Sequence, residues 1–274
     1  MDGIPLPSDE IVKLDHFAPG VSGLRVLFVN VFGIAGPKGW TLVDAGLVFS
    51  ASRIMEWAKE HFGGGLPQSI ILTHGHFDHV GAVAELLEHW NVPVYAHERE
   101  LPYLTQRLKY PPPDPGAGGG LMAVISPLYP RTSADLSGRV QALPENGAVP
   151  SLPGWSYMHT PGHAPGHISL FRGEDNVLLP GDAFCSTKQE SLLAVAQQRP
   201  ELHGPPAYYT PDWDAARTSV RKLAALRPTT IAPSHGLPMS DGEVPDQLDE
   251  LAANFDEIAI PEHLRYVGRS GSAD

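Results

Sequence analysis

Cysteine is nearly absent: the chain of 274 residues has one, Cys185. No intramolecular disulfide can form, so the sequence does not read as an oxidised, secreted scaffold. Cys185 itself reads as a small buried residue rather than a ligand or nucleophile. Basic residues are also scarce, 19 Lys and Arg against 31 Asp and Glu. A formal net charge of −12 argues against a surface built to grip phosphates or nucleic acid. No stretch approaches the roughly 20 apolar residues of a membrane-spanning helix. Met1 to Glu10 carries neither the basic region nor the apolar run of a signal peptide. We therefore expect a cytoplasmic protein with a small-molecule substrate, no nucleic acid and no membrane among its partners. A homodimer stays open.

Against this background one stretch concentrates ligand chemistry: Ile71-Leu72-Thr73-His74-Gly75-His76-Phe77-Asp78-His79-Val80. It follows the apolar run Ser69-Ile70-Ile71-Leu72, which reads as a strand. On an extended chain residues two apart face the same side, so His74 and His76 can bind one ion. Asp78 and His79 fall at the start of the next element and can turn towards a second. Imidazole and carboxylate suit zinc, iron or manganese. A lone histidine is commonly a core or surface residue; this spacing at a strand-to-helix junction points to metal.

Further short motifs follow in order. Asp44 ends Thr41-Leu42-Val43-Asp44, His163 lies in Thr160-Pro161-Gly162-His163, Asp182 in Leu179-Pro180-Gly181-Asp182, and His235 in Pro233-Ser234-His235-Gly236. With these in place the chain resembles the metallo-β-lactamase-fold hydrolase superfamily, in particular its glyoxalase II-like branch. The resemblance covers most of the chain. It implies an α/β fold, a four-layer αββα sandwich, spanning residues 1–274 as a single domain. It also implies two divalent metal ions, zinc before iron or manganese. One would take His74, His76 and His163, the other Asp78, His79 and His235, with Asp182 bridging. Asp44 would lie beneath the metals and orient a ligand. His159 and His167 stay off the ligand set, as does His97, which reads as a structural strand-end residue.

The implied activity is hydrolysis of a small ester-like bond, thioester or lactone, by a metal-bound hydroxide, with Asp78 or Asp182 passing a proton. Tyr208 or Tyr209 could hold the carbonyl, as a tyrosine does in related lactonases, and Lys188 is a further candidate substrate contact. Lys188 fits the glyoxalase II pattern poorly, and the C-terminal part lacks that branch's Arg/Lys-bearing helical domain. Both departures count against glutathione thioesters. Alternatives within the fold are a mononuclear iron persulfide dioxygenase, using His74, His163 and Asp182, and a phosphodiesterase or nuclease, which the acidic charge disfavours. A non-catalytic metal-binding or partner-binding domain is a fourth reading; missing ligands would mark it, and none of the motif ligands is missing.

Elements can be sketched around the motifs. Strands are expected at Leu24 to Ile34, Trp40 to Ala45, Ser69 to Thr73, Pro93 to His97, Trp155 to His159, Ile168 to Phe171, Asn176 to Pro180 and Thr229 to Ala232. Helices are expected from a Ser50 cap to Phe62, from Asp78 to Trp90, from Arg99 to Tyr110, from an Asp212 cap to Leu226, and from Asp246 to Ile258. In the second of these, Val80, Val83, Ala84 and Leu87 should face the core. Residues 101–130 include the breaker run Pro111 to Gly120 and read as an insertion over the active-site mouth. Gly268 to Asp274 reads as a frayed tail.

Overall fold

A run of antiparallel strands opens the described chain. The computed structural model describes residues 12–132 and 135–262; Met1 to Glu10 and the Gly268 to Asp274 tail lie outside the described residues. β1 (Val12–Ala18), β2 (Val21–Val26), β3 (Val29–Gly36) and β4 (Gly39–Val43) pair in order, each antiparallel to the last. The chain then crosses over α1 (Ala51–Phe62) to β5 (Ile70–Ile71), and over α2 (Phe77–Val80) and α3 (Val83–His89) to β6 (Val94–Ala96). β7 (Val140–Ala142) completes a seven-stranded sheet in which β4 to β7 run parallel. Between β6 and β7 lie α4 (Leu101–Leu104) and α5 (Leu121–Ile125). The second sheet has the order β11-β10-β9-β8, from β8 (Trp155–His159), β9 (Ile168–Arg172), β10 (Val177–Leu179) and β11 (Thr230–Ile231). α6 (Leu192–Gln197) and α7 (Trp213–Ala224) connect β10 to β11, and α8 (Val244–Ala253) and α9 (Phe255–Ala259) follow.

Side-chain alternation divides the interior into three apolar layers. Val43 and Ile71 point inward with Phe32 and Ile34, and meet Ile168, Leu170, Val177 and Leu179 of the other sheet. Leu42, Ile70 and Leu72 point outward, against Ile54 and Trp57 of α1 and Val83 and Leu86 of α3. On the far side Leu178 and Ile231 pack on Val220 and Leu223 of α7 and Leu248 of α8. Two sheets buried on both faces, with helices outside each, make the four-layer αββα sandwich.

The structure departs from the sequence expectation at several elements. The strand expected over Leu24 to Ile34 is a hairpin, turning at Leu27 and Phe28, with Leu27 at φ 57°. None of the usual turn residues marks it. Ser50 precedes α1 but does not cap it; its hydroxyl donates back to the Leu47 carbonyl at 2.6 Å. The helix expected from Asp78 to Trp90 breaks at Gly81 and Ala82, whose N–H groups donate to Gly46 and Ala45. The break shifts the helical phase, so Leu86 is buried and Ala84 is exposed. Beyond Leu104 the helix expected to Tyr110 does not form. α6, β1 and β7 had no clear sequence signal. At α7 the expectation holds, with the Asp212 carboxylate accepting the Ala215 N–H at 2.9 Å.

Candidate metal centre

The site sits where strands of both sheets end and their loops meet. Just past β5, Thr73 and the following loop deliver His74 and His76, and α2 carries Asp78 and His79; the loop after β8 delivers His163. Past β10 comes Asp182, and past β11 comes His235. All seven side chains are buried. Gly181 takes φ 60°, the tight bend that aims the Asp182 carboxylate inward.

Three groups of ligand atoms converge: His74, His76 and His163; His74, His79 and Asp182; and Asp78, His79 and His235. In the first, His76 Nδ1 lies 2.9 Å from both His74 Nε2 and His163 Nε2. Asp182 stands between the groups. Its Oδ2 lies 3.3 Å from His163 Nε2 and 3.2 Å from His235 Nε2, and its Oδ1 lies 3.4 Å from His79 Nε2. Asp78 Oδ2 is 3.6 Å from His235 Nε2.

Four of the five imidazoles are oriented from behind by a hydrogen bond. His79 Nδ1 donates to Asp44 Oδ2 at 2.8 Å, and Asp44 Oδ1 accepts the Thr73 N–H. The Thr73 hydroxyl donates to Asp44, which leaves it free to accept from His74 Nδ1 at 3.1 Å. Thr210 donates to the Pro206 carbonyl and accepts from His163 Nδ1. His235 Nδ1 donates to the Phe28 carbonyl at 2.8 Å, on the unexpected β2–β3 turn. Asn30, at the start of β3, holds the same loop through the Pro233 and Gly236 carbonyls. With these Nδ1 protons committed, the Nε2 atoms of His74, His79, His163 and His235 face the centre. Asp44 itself sits at φ 61°, a left-handed conformation that carries strain in a residue with a side chain and recurs at functional sites.

A cation fits this arrangement on three grounds. His79 Nε2 and Asp182 Oδ1 are buried and have no hydrogen-bond partner, a costly state for a lone pair and a carboxylate. Three imidazole nitrogens 2.9 Å apart cannot share enough protons to satisfy one another. Burial, reinforced by the neighbouring imidazoles, also holds His74 and His76 well below the usual histidine range. Burial takes His163 to about 3. Burial disfavours the charged forms of Asp182 and His79 too, but each counters it for the other. With His235 also beside it, Asp182 stays well below the usual carboxylate range, and three carboxylates raise His79 well above 6.5. Imidazoles held neutral at His74, His76 and His163 beside the ionised Asp182 suit a divalent metal, and His79 would give up its second proton on binding one.

The structure brings together all seven expected ligand residues and Asp44. His167, kept off the ligand set, has both nitrogens in use: Nδ1 against the Thr160 carbonyl, Nε2 accepting the Asp182 N–H at 2.8 Å. Tyr209 packs near His76, ring centroids 4.8 Å apart and planes tilted by 32°, and its hydroxyl is buried without a partner. Tyr208 is buried 5.3 Å from Tyr209. Lys188 is exposed and lines a separate cavity of about 380 Å³ with Gly116, His203 and Glu257. Sequence reasoning missed Glu100, Tyr110, Thr210 and Asn30. Asn30 alone had a local sign, a polar residue within an apolar strand.

A sandwich of this topology with a His/Asp cluster at its loop edge defines a metallo-hydrolase class. The family model described as the metallo-beta-lactamase superfamily matches residues 24–235, and the chain belongs to that family. It is 50% identical over 245 residues to the probable metallo-hydrolase YflN of Bacillus subtilis (strain 168), covering 88% of this chain and 93% of that protein. The hydroxyacylglutathione hydrolase GloC of Haemophilus influenzae is 32% identical over 117 residues, 42% of this chain and 49% of GloC. Among solved structures, TTHA1623 in a di-iron-bound form superposes with a TM-score of 0.53 at 27% identity, covering 80% of this chain and 92% of that one.

Proposed function

We propose that the chain is a dinuclear metal-dependent hydrolase acting on a small ester-like substrate, a thioester or a lactone. The observation that carries this reading is Asp182, a buried carboxylate within 3.4 Å of imidazole nitrogens from both clusters. His74, His76 and His163 would hold one divalent ion and Asp78, His79 and His235 the other, with Asp182 shared. Zinc suits the nitrogen-rich set, with iron or manganese as alternatives. Such ions lower the pKa of coordinated water towards neutrality and polarise an acyl oxygen.

The chain's own residues supply orientation and proton movement. Tyr209, its hydroxyl buried beside His76, is placed to donate to the acyl oxygen; burial and the nearby Asp78 keep it protonated. Asp78 is better placed than Asp182 to pass a proton outward, its side chain being 10% exposed against 2%. Residues 101–130 cover the mouth: the Tyr110 ring lies 4.3 Å from His76, and Tyr129 lies 5.3 Å from Phe77. A mononuclear dioxygenase would leave Asp78, His79 and His235 idle, and −12 disfavours a nuclease. A cytoplasmic setting suits a lone cysteine that is buried, its thiol pushed up first by burial and then by Asp182.

The test is turnover of acyl thioesters and lactones by protein loaded with zinc, iron or manganese. Hydrolysis that stops on chelation and returns with the ion is the expected outcome. A loaded protein inert to both classes would sink the reading.

A further inference from the structure

Glu100 is a carboxylate with no solvent exposure, in the turn after β6 and outside every metal-ligand group among the described residues. It accepts three hydrogen bonds. Oε2 accepts the Gly75 N–H at 2.9 Å and the Tyr110 hydroxyl, and Oε1 accepts the Gly166 N–H at 2.7 Å. Burial pushes it up, while these donors pull the other way. A buried carboxylate satisfied by backbone amides is held in place by the loops that donate to it, and holds them in return.

The identity of those loops gives Glu100 its consequence. The Gly75 peptide sits between His74 and His76, so fixing it fixes two imidazoles. Gly166 lies between His163 and His167, and His167 Nε2 accepts the Asp182 N–H. One carboxylate thus ties together both loops that supply the three-histidine group, one from each half of the sandwich. Tyr110 reinforces the tie: its hydroxyl lies 3.0 Å from the Gly75 N–H, and its ring packs on His76. Neither of the loops bearing Asp182 and His235 donates a hydrogen bond to Glu100.

We propose that Glu100 is a positioning residue that sets the geometry of the His74–His76–His163 group by clamping its two loops to one carboxylate. This rests on the two-ion reading above. Gln keeps the size of the side chain but has one acceptor atom where the clamp needs two. Asp keeps the charge but lacks the reach to span both loops.

The experiment is zinc titration of chelated protein, read by competition with a chromophoric chelator, in two backgrounds. His235→Ala isolates the three-histidine group, and His163→Ala isolates the other. Glu100→Gln should weaken zinc binding about 10- to 100-fold in the first background, the loss typical of a residue supporting metal ligands, and by clearly less in the second, whose ligands Glu100 reaches only through His167 and the shared Asp182. Glu100→Asp should reproduce that pattern and serves if the Gln variant does not fold. Equal weakening in both backgrounds, or none in the first, overturns the assignment. A parent chain that binds no zinc overturns the two-ion reading along with it.

Discussion

Asp182 and Tyr209 concentrate the argument at the scale of the residue. Asp182 is the carboxylate common to both clusters, so Asp182→Asn should weaken metal binding by more than the roughly 10- to 100-fold typical of a supporting residue. A chelator titration of the variant checks this; wild-type affinity would show that Asp182 holds no ion. Tyr209 tests the substrate side. Its hydroxyl has no protein partner, so Tyr209→Phe loses no internal hydrogen bond and should leave folding stability unchanged or slightly raised. If that hydroxyl donates to the acyl oxygen, kcat should fall about 10²-fold. A melting curve and a steady-state assay on the same preparation separate the two effects, and an unchanged kcat would return Tyr209 to packing. The candidate ligands His74 to His79 were legible in the sequence because three histidines and a carboxylate at such spacing are hard to explain otherwise; His163, Asp182 and His235 were legible only through the family resemblance. Glu100 was not: in His97-Glu98-Arg99-Glu100 it reads as one of several surface charges, and only the fold reveals the two amides it meets.

At the scale of the element, boundaries set by tertiary contact were the ones the sequence concealed. The turn at Leu27 and Phe28 carries apolar residues, yet its carbonyl orients His235. Gly81 looks like a tolerated helical glycine, but a Cβ there would lie 2.3 Å from the Val48 amide nitrogen. Gly81→Ala should therefore destabilise the fold by about 1–3 kcal/mol or more, the cost of forcing backbone apart, despite alanine's better helix propensity. Urea unfolding measures this, and a neutral or stabilising result would contradict the close packing of α2 on the loop after β4. Strands and helices with clean alternation or capping, such as β8, β9 and α7, needed no tertiary information.

Another element-level consequence lies where β6 and β8 end side by side. His97 and His159 stack there, centroids 4.2 Å apart and half-buried. Burial first, then His159, lowers His97 to about 4. Below pH 6.5 the unfolded chain takes up a proton that the folded one refuses until about pH 4. Stability is therefore lost as pH falls across that window. Solvent screening reduces the full linkage value to about 1–2 kcal/mol. His97→Gln should flatten the stability profile between pH 6.5 and 4, and an unaltered slope would contradict the shift.

At the scale of the whole molecule, two sheets with opposed inner faces bring loops from distant parts of the chain to one edge. Residues as far apart as His79 and His235, ring centroids 5.7 Å apart, become neighbours only through that closure, which is why the resemblance carried by the order of the motifs, rather than local periodicity, announced the fold. The acidic chain and its deeply buried carboxylates are consistent with resident cations. The most direct measurement is the number and position of ions per chain, from elemental analysis and anomalous scattering on protein purified without chelator. We predict two divalent ions, one among His74, His76 and His163 and one among Asp78, His79 and His235, with Asp182 between them. A single ion, or a second cluster that stays empty at saturating metal, would contradict the dinuclear account.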